Sequence, residues 1–454
     1  MKKIYFGWLF CLLTSSALAQ TSQPAIPSLR ERALAEDHLL AERFQTVLPK
    51  LMRDNGIDLW LLIAEEYNED PVMKTMLPAS WLSARRKTIL FIFDRGGPEG
   101  LEMLAVARYP VGSIFKAAWN PDQEPDQWKR LVQLIEERKP KKIALNVSET
   151  YAHADGLSHT EHQNLLRYLP PAYQASLVPG EKLAVQWLET RTPAEIAIYE
   201  VACRLAHHII AEGLSEKAIL PGITTTDDVV WWYRERVAEL RLQSWFHPTV
   251  DVQRPDPTND EAQRSFAARP DGKTVIMPGD LVHIDFGIDY LGLHTDTQQL
   301  AYVLKPGETD VPEHLKKALA VGNRLQDILT SHFKIGRTGN EVLKATIDQA
   351  KAEGIVPQIY SHPVGYHGHA AGPAIGMWDN QVSVPGTGDY QLRPNTAYAI
   401  ELNAKVKPSE WNGKELRVML EENAWLGEDG RVRYIDGRQK EILTIPRKAG
   451  YLRP

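Results

Sequence analysis

The sequence predicts two folded domains, an α/β domain at the N-terminus and a larger α+β domain behind it. The chain has 454 residues, which exceeds the usual size of one domain. Residues 31–180 alternate between helical and strand-like patterns, as α/β domains do. Residues 181–454 combine capped helices with strand-like runs that end in carboxylates. We therefore look for the chemistry in the second domain.

The first 19 residues have the pattern of a secretory signal peptide. Lys2 and Lys3 supply a basic start, residues 4–13 are largely apolar, and Ala17-Leu18-Ala19 forms a small-residue cleavage site. The apolar run is too short to span a bilayer comfortably. We therefore expect an exported protein, periplasmic or secreted, that has no membrane anchor after cleavage.

Cysteine content and charge set further expectations. Cleavage of the signal peptide would remove Cys11 and leave Cys203, so no intrachain disulfide is expected. Cys203 lies in an apolar helical stretch and is expected to be buried. The formal net charge of −6 is modest and gives no electrostatic reason to expect nucleic acid as a partner.

Residues 20–30 are expected to form a loose leader, and residues 31–180 the α/β domain. His153, His159 and His162 occur in a polar, loop-like stretch, and we interpret them as surface histidines rather than as a metal site. The expected elements are helices at residues 34–55 and 126–138, strands at residues 57–63, 88–93, 101–107 and 143–147, and a linker near residues 177–180.

The helices of the second domain begin at recognisable caps. Thr192-Pro193-Ala194-Glu195 is a capping box with proline at the first helical position, and it predicts a helix to about residue 214. Thr226 is expected to cap a helix through residue 242. Further helices are expected at residues 312–333 and 340–353, and a long polar loop at residues 252–272. The helices should cover the outer face of a curved sheet.

A β-hairpin at residues 281–303 carries two aspartates. Residues 281–286 alternate like a half-buried strand, residues 287–292 form the turn, and a second strand ends near residue 303. The hairpin would bring Asp285 and Asp296 side by side. Two adjacent carboxylates repel each other unless a proton or a cation lies between them. A bound cation would need further ligands from the rest of the chain.

Three residues further along the chain can complete such a site. His362 lies in a glycine-rich segment, and Glu401 and Glu421 end apolar, strand-like runs where a buried carboxylate is costly unless paired or bound to metal. Four carboxylates and one imidazole suit hard or borderline divalent ions better than a thiolate-type zinc site would. Two ions roughly 3.5–4 Å apart, bridged by carboxylates and a hydroxide, could polarise a carbonyl and supply a nucleophile.

This order of residues resembles the pita-bread metallopeptidases of family M24, which include aminopeptidase P, prolidase, methionine aminopeptidase and creatinase. The eleven-residue step from Asp285 to Asp296 matches the first two ligands of that family. His362 and His369 match its metal-binding and non-ligand histidines, and Glu401 and Glu421 match its last two ligands. The resemblance covers roughly residues 185–450. It implies a pita-bread (creatinase-like) catalytic domain over residues 181–454.

The ligand set also suggests individual roles. We expect Asp285 to bind one ion, Asp296 and Glu421 to bridge both, and His362 and Glu401 to hold the second. The resemblance implies that Glu401 also accepts the proton of the attacking water, and that His369 donates a hydrogen bond to the oxyanion.

Substrate, metal and assembly follow from the same resemblance. We expect the substrate to contact His369, His247 and Trp378, although His247 could instead cap the core and Trp378 could pack under its loop. The expected cofactors are two divalent ions per chain, manganese in preference to zinc, cobalt or iron. The expected partners are a short peptide substrate and a second copy of the chain in a homodimer.

Three positions depart from the proline-specific branch of the family. Relatives usually have arginine where this chain has Met419, and often arginine at Gln299 and histidine at Gln358. They also place a histidine at a short, fixed distance before the first aspartate, and this chain has no histidine at that distance. The metal ligands are intact, whereas the groups around them differ. We expect an Xaa-Pro aminopeptidase or dipeptidase, with an amidinohydrolase or lyase, or a non-catalytic binding module, as alternatives.

Overall fold

The computed structural model describes residues 26–255 and 274–448. The predicted signal peptide therefore lies outside the described residues, as does most of the predicted loop at residues 252–272. The predicted leader ends early, because the first helix begins at Leu29 behind a capping box formed by Ser28 and Glu31. A membrane-spanning length of apolar helix does not occur in residues 26–255 or 274–448.

The described residues form helices and strands with the following bounds. The helices are α1 (Leu29–Thr46), α2 (Leu48–Asp54), α3 (Pro71–Lys74), α4 (Gln127–Arg138), α5 (His159–Tyr168), α6 (Pro171–Gln174), α7 (Glu181–Glu189), α8 (Pro193–Gly213), α9 (Thr226–Glu239), α10 (Glu313–His332) and α11 (Gly339–Ala352). The strands are β1 (Leu59–Glu65), β2 (Lys87–Asp94), β3 (Leu101–Ala105), β4 (Lys116–Ala117), β5 (Ile143–Leu145), β6 (Leu177–Pro179), β7 (Thr249–Gln253), β8 (Leu281–Phe286), β9 (Asp289–Tyr290), β10 (Leu293–His294), β11 (Thr297–Val303), β12 (Val356–Ile359), β13 (His362–Pro363), β14 (Thr396–Ala399), β15 (Leu402–Val406), β16 (Leu416–Leu420), β17 (Asn423–Leu426), β18 (Val432–Tyr434) and β19 (Leu443–Ile445).

The first domain is built on a six-stranded mixed sheet with the order β4-β3-β2-β1-β5-β6. Strand β1 lies inside the sheet, antiparallel to β2 and parallel to β5. The stretch expected to be a linker near residue 177 is instead the edge strand β6, because it pairs with β5. Helix α7 packs Trp187 and Leu188 into the core of this domain.

Two of the sheets in the second domain are each covered on the outer side by a pair of helices. The sheet β19-β11-β8-β7 packs against α8 and α9, and the sheet β12-β15-β16 packs against α10 and α11. A further sheet, β13-β14-β17-β18, lies beside them. The inner faces of the two covered sheets carry polar residues toward each other. These faces form the site.

Helix boundaries in this domain follow the predicted caps closely. Thr192 with Glu195, and Thr338 with Glu341, form complete capping boxes. The prediction for α9 was wrong at both ends, because Thr225 is the cap, with Asp228 as its partner, and the helix ends at Glu239 rather than at residue 242. Strand β7 was not predicted, because its pairing partner β8 lies far along the chain.

Candidate metal centre

The predicted hairpin forms from β8 and β11 and carries both aspartates. The two strands pair antiparallel, with Asp285 opposite Gln298. Asp296 lies just before β11. It is held by Asn423, whose Oδ1 accepts from Asp296 N at 3.1 Å and whose Nδ2 donates to Asp296 O at 2.7 Å. The aspartates therefore meet beside Glu421 rather than as a directly opposed pair of strand residues.

Both predicted glutamates lie where one strand ends and the next begins. Glu401 separates β14 from β15, and Glu421 follows β16. Their side chains are buried. The backbones of Gln298 and Glu421 exchange two hydrogen bonds, of 3.0 and 3.3 Å. This bridge draws the end of β16 against β11, and so brings Glu421 to the aspartates.

His362 presents a free ring nitrogen to these carboxylates. Its Nδ1 donates to Pro363 O at 3.0 Å, which leaves the lone pair on Nε2. Nε2 lies 3.8 Å from Asp296 Oδ2, 3.8 Å from Glu421 Oε1 and 4.0 Å from Glu401 Oε2. Burial, reinforced by the nearby His369, lowers the pKa of His362 to about 3. The ring is therefore neutral near pH 7, as a metal ligand must be.

The spacing of the ligand atoms suits divalent ions. Ligand atoms that each lie about 2.0–2.2 Å from one ion stand roughly 3–4 Å apart. Three overlapping groups have ligand atoms within 4.8 Å of one another: Asp296, His362 and His369; His362, Glu401 and Glu421; and Asp285, Asp296 and Glu421. Asp296, His362 and Glu421 each belong to two of these groups, and the two carboxylates among them have the second oxygen that a bridging ligand needs.

Unpartnered buried atoms mark the same place. His362 Nε2, Asp285 Oδ1 and Glu421 Oε1 have no hydrogen-bond partner among the described residues. Buried polar atoms are normally satisfied, so these three point to a missing partner. A hard or borderline divalent cation fits oxygen donors with one imidazole. The residues present therefore fit the divalent metal.

The carboxyl groups resist ionisation when no cation is bound. Burial raises the pKa of Asp285 to about 7. Burial, with repulsion from neighbouring carboxylates, raises the pKa of Asp296, Glu401 and Glu421 well above the usual range. Metal binding to such a cluster displaces protons, since the ligands must be ionised.

Gln298 orients two of the ligands, and sequence reasoning missed it. Its Nε2 donates to Glu401 Oε1 at 2.7 Å and to Glu421 Oε2 at 2.9 Å. The carboxylates accept, so they take the amide nitrogen, and Oε1 is left to accept from His283 Nε2 at 2.9 Å. His283 is a buried partner of Gln298. The register of β8 and β11 places these side chains together.

Glu422 faces away from the centre, as the alternation of strand residues predicts. Its Oε2 lies 2.6 Å from His207 Nε2, and its Oε1 accepts from Gln299 Nε2 at 2.9 Å. His207 Nδ1 in turn lies 2.7 Å from Asp436 Oδ2. Gln299 therefore works with His207 to hold the carboxylate behind Glu421.

Trp245 packs against the histidine loop, here defined as residues 362–369. Its Nε1 donates to Thr295 O at 2.7 Å, and its ring lies edge-on to His369 with centroids 5.3 Å apart. A β-carbon added at Gly287 or Gly368 would lie 2.2 Å from this indole. Glycine at both positions therefore lets Trp245 pack between the hairpin and the loop.

The interpretation of His153 as a surface histidine was wrong. Its ring is half-buried and lies 4.6 Å from the ring of His367. It also hydrogen-bonds the backbone of His369, and it helps burial to lower the pKa of His369. The first domain therefore contributes a side chain to the wall of the histidine loop. Nothing in the local sequence around His153 indicates this long-range packing.

The remaining predicted site residues lie at different distances from the ligands. The ring of His369 is edge-on to that of His362, with centroids 4.8 Å apart. Trp378 lines a small cavity that Glu401 also lines. His247 instead contacts Arg234 and the ring of Trp231 on α9. Substrate contact by these three residues stays a prediction.

Fold and donor set together define the class of protein: a two-domain metalloprotein with a buried carboxylate–imidazole centre. Residues 197–434 match the model of metallopeptidase family M24. The chain therefore belongs to metallopeptidase family M24, a family of divalent-metal hydrolases. The predicted family is confirmed.

Solved structures agree on the fold. An X-Pro aminopeptidase from Thermotoga maritima MSB8 has a TM-score of 0.61 and 17% identity, covering 87% of this chain and 99% of that chain. An Xaa-Pro dipeptidase from Bacillus anthracis has a TM-score of 0.57 and 17% identity, covering 91% and 99%. A variant of Escherichia coli aminopeptidase P has a TM-score of 0.55 and 13% identity, covering 91% and 96%. No curated protein sequence matches the chain significantly. The predicted fold class, an α/β domain followed by a pita-bread domain, is confirmed.

Proposed function

We propose that the protein is an exported hydrolase that uses two divalent ions, manganese in preference to others, to cleave the Xaa-Pro bond of short peptides, and that it works as a homodimer. The observation that carries the catalytic part is the meeting of Asp285, Asp296, His362, Glu401 and Glu421 around buried atoms that lack partners. The named activities of the structural neighbours support the choice of substrate class. The basic and apolar start of the sequence supports export.

Divalent ions at this centre would polarise the substrate carbonyl and lower the pKa of a bound water. The chain's own groups then move protons and stabilise charge. Gln298 holds Glu401 Oε1, so Oε2 is left to accept the proton of the attacking water and return it to the leaving nitrogen. His369 is exposed at the edge of the centre, and its lowered pKa keeps it neutral near pH 7. A neutral imidazole N–H can donate to the oxyanion.

A same-fold hydrolase or lyase acting on a small metabolite is the second candidate. It is favoured by Gln299, Gln358 and Met419, which replace the charged or ionisable side chains that the proline-specific relatives were expected to carry. All three lie close to the ligand strands. These three residues would alter the side chains that contact the substrate and leave the candidate metal ligands unchanged.

The first experiment measures bound metal in the purified mature protein and hydrolysis of Xaa-Pro dipeptides and longer Xaa-Pro peptides with added manganese, cobalt or zinc. About two ions per chain with metal-dependent cleavage is the expected result. Two ions without peptide cleavage would favour the second candidate, to be tested on small amides and guanidines. Absence of bound metal would favour a non-catalytic binding module.

Export and assembly are tested separately. Mass spectrometry of the protein from the secreting cell should place its N-terminus at Gln20. Light scattering should give twice the mass of one mature chain. An N-terminus at Met1 would contradict export with cleavage, and the mass of a single chain would contradict the homodimer.

A further inference from the structure

One row of side chains crosses the sheet β12-β15-β16 next to Glu401. Gln358 on β12 is paired with Asn403 on β15, and Asn403 is paired with Met419 on β16. Paired residues on adjacent strands share a face of the sheet. Two members of the row, Gln358 and Met419, are positions that we expect to differ from the proline-specific relatives. The row lies beside the centre and carries no charged side chain.

Gln358 and Asn403 line a small cavity that reaches Glu401. Leu402 and the aromatic rings of two residues enclose it, and Gln298 closes the side toward the ligands. The lining residues in the described part of the chain are Gln298, Gln358, Tyr360, Trp378, Glu401, Leu402 and Asn403. None of these carries a positive charge, and one carries a carboxylate. An anionic group entering the cavity would find no counter-charge there.

The two amides form a chain with one possible direction. Gln358 Nε2 lies 2.5 Å from the carbonyl oxygen of Trp378, which can only accept. Gln358 must therefore use its Oε1 to accept from Asn403 Nδ2, at 2.9 Å. Asn403 therefore turns its Nδ2 toward Gln358 and its Oδ1 away from that amide. The backbone carbonyl of Trp378 thus decides that Asn403 offers an acceptor.

That acceptor is buried and unused. Asn403 is 5% exposed, and its Oδ1 has no hydrogen-bond partner among the described residues. A buried acceptor without a partner is unfavourable, so a ligand that supplies a donor gains free energy on binding. A ligand that places a carboxylate there gains nothing, because a carboxylate has no hydrogen to donate to Oδ1.

We propose that Asn403 accepts a hydrogen bond from an N–H group on the leaving side of the substrate. The proposal rests on the proposed function, because a Glu401 that returns its proton to the leaving nitrogen must have the leaving residue beside this cavity. An Xaa-Pro dipeptide ends there in a carboxylate, whereas a longer peptide or a C-terminal amide supplies an N–H. The protein is therefore an aminopeptidase of longer peptides rather than a dipeptidase.

The unaltered enzyme tests this with four manganese-loaded reactions on substrates that differ only at the C-terminus. These are Ala-Pro, its methyl ester, its primary amide and the tripeptide Ala-Pro-Ala. The amide and the tripeptide should exceed the ester in kcat/KM by about tenfold, the usual effect of one hydrogen bond, and the free acid should be the poorest. A free acid cleaved as well as the amide would overturn the proposal, as would an ester equal to the amide.

Two variants distinguish the effect of the Asn403 acceptor from the effect of charge in the cavity. Asn403→Leu should bring the amide-to-ester ratio close to one, mainly through KM, while the free acid stays poor. Gln358→Arg supplies a cation and should raise the kcat/KM of the free acid relative to the amide. Lys405 lies on the same strand as Asn403 but does not line the cavity. Lys405→Gln is therefore the matched control, and it should leave the ranking of the four substrates unchanged. An unchanged ranking in Asn403→Leu would overturn the proposal.

A binding measurement does not depend on turnover. Calorimetry on the metal-loaded protein should show prolinamide, the leaving product of the amide substrate, binding about tenfold more tightly than proline. Asn403→Leu should remove that difference. Proline binding equal to or tighter than prolinamide would overturn the inference even if peptides are cleaved. If no peptide is cleaved but prolinamide still binds more tightly than proline and the difference depends on Asn403, the proposed function is contradicted and the inference about Asn403 is supported.

Discussion

Glu421 lies where two groups of metal-binding side chains meet. It can share an ion with His362 and Glu401, and also one with Asp285 and Asp296. Its two oxygens differ, because Oε2 accepts from Gln298 and Oε1 has no partner among the described residues. Loss of its charge is therefore expected to weaken binding of both proposed ions.

Glu421→Gln should therefore lower bound metal and abolish turnover while the fold persists. The amide keeps the shape of the side chain but removes a negative charge from the ligand set. Elemental analysis, peptide hydrolysis and circular dichroism measure the three effects. Glu428→Gln, at an exposed position away from the centre, is the control and should keep its metal. Full metal content and activity in Glu421→Gln would contradict its assignment as a ligand.

Metal removal should make stability depend on pH at these same carboxyl groups. In the metal-free protein burial raises the pKa of Asp285 to about 7 and that of Glu421 well above its usual range. Below about pH 4 both folded and unfolded chains are protonated and no penalty exists. As the pH rises from about 4 to 7, the unfolded chain loses these protons while the folded chain keeps them, so stability falls, and the contribution of Asp285 levels off above pH 7.

Thermal unfolding at pH 5, 6, 7 and 8 checks this, with chelator and with manganese. The midpoint of the chelated protein should fall with rising pH, and the gap to the manganese-loaded protein should widen. Bound metal removes the repulsion and stabilises the folded state by mass action. Midpoints that stay parallel across the series would contradict the expected coupling.

Helix α8 is tied to the ligand strands through His207. The ring lies 2.6 Å from Glu422 Oε2, in a position where both side chains are almost fully buried. Glu422 immediately follows a ligand, so the helix supports the end of strand β16 from behind. Opening a buried pair of this kind leaves an uncompensated charge.

His207→Ala should lower the free energy of unfolding by about 3 kcal/mol, and it should weaken metal binding. Chemical denaturation and a chelator competition assay measure the two effects. His208→Ala on the same helix, where the side chain is less buried, is the control and should change stability far less. Equal effects of the two substitutions would show that the link to Glu422 does not support the centre.

The two domains are joined through a buried guanidinium on α1. Arg43 Nη1 lies 2.8 Å from Glu195 Oε2 and 2.5 Å from Thr190 O, and the ion pair is fully buried. Glu195 Oε1 accepts from Tyr366 OH at 3.0 Å, in the histidine loop. A path of direct contacts therefore runs from the first helix to the segment that carries His362 and His369.

Arg43→Met should lower the free energy of unfolding by about 3–5 kcal/mol, because it leaves part of the Glu195 charge unpaired. It should also lower peptide turnover by loosening Tyr366. Denaturation and steady-state kinetics measure these effects. Arg30→Met, on the exposed face of the same helix, should leave both unchanged. Unchanged turnover in Arg43→Met would show that the loop is held independently of the first domain.

The sequence by itself determined the family and most helices, and it singled out five of the side chains that meet in the candidate metal centre. Capping boxes such as Thr192 with Glu195 are local, and the physics of a helix end lies within four residues. Candidate metal ligands can also be recognised in the sequence, because a buried carboxylate at the end of an apolar run needs a partner. Asp285, Glu401 and Glu421 all stood out for that reason.

Only the tertiary structure decided which side chains surround those ligands. Gln298 reaches two glutamates because of strand register, and a slip of one residue would turn it to the other face. His153 reaches His367 from another domain, and Asn403 offers an acceptor because the Trp378 carbonyl sets the direction of an amide chain. Each of these contacts depends on the relative placement of distant segments. No local pattern in the sequence specifies that placement, because the free energy that fixes it comes from packing and pairing across the whole fold.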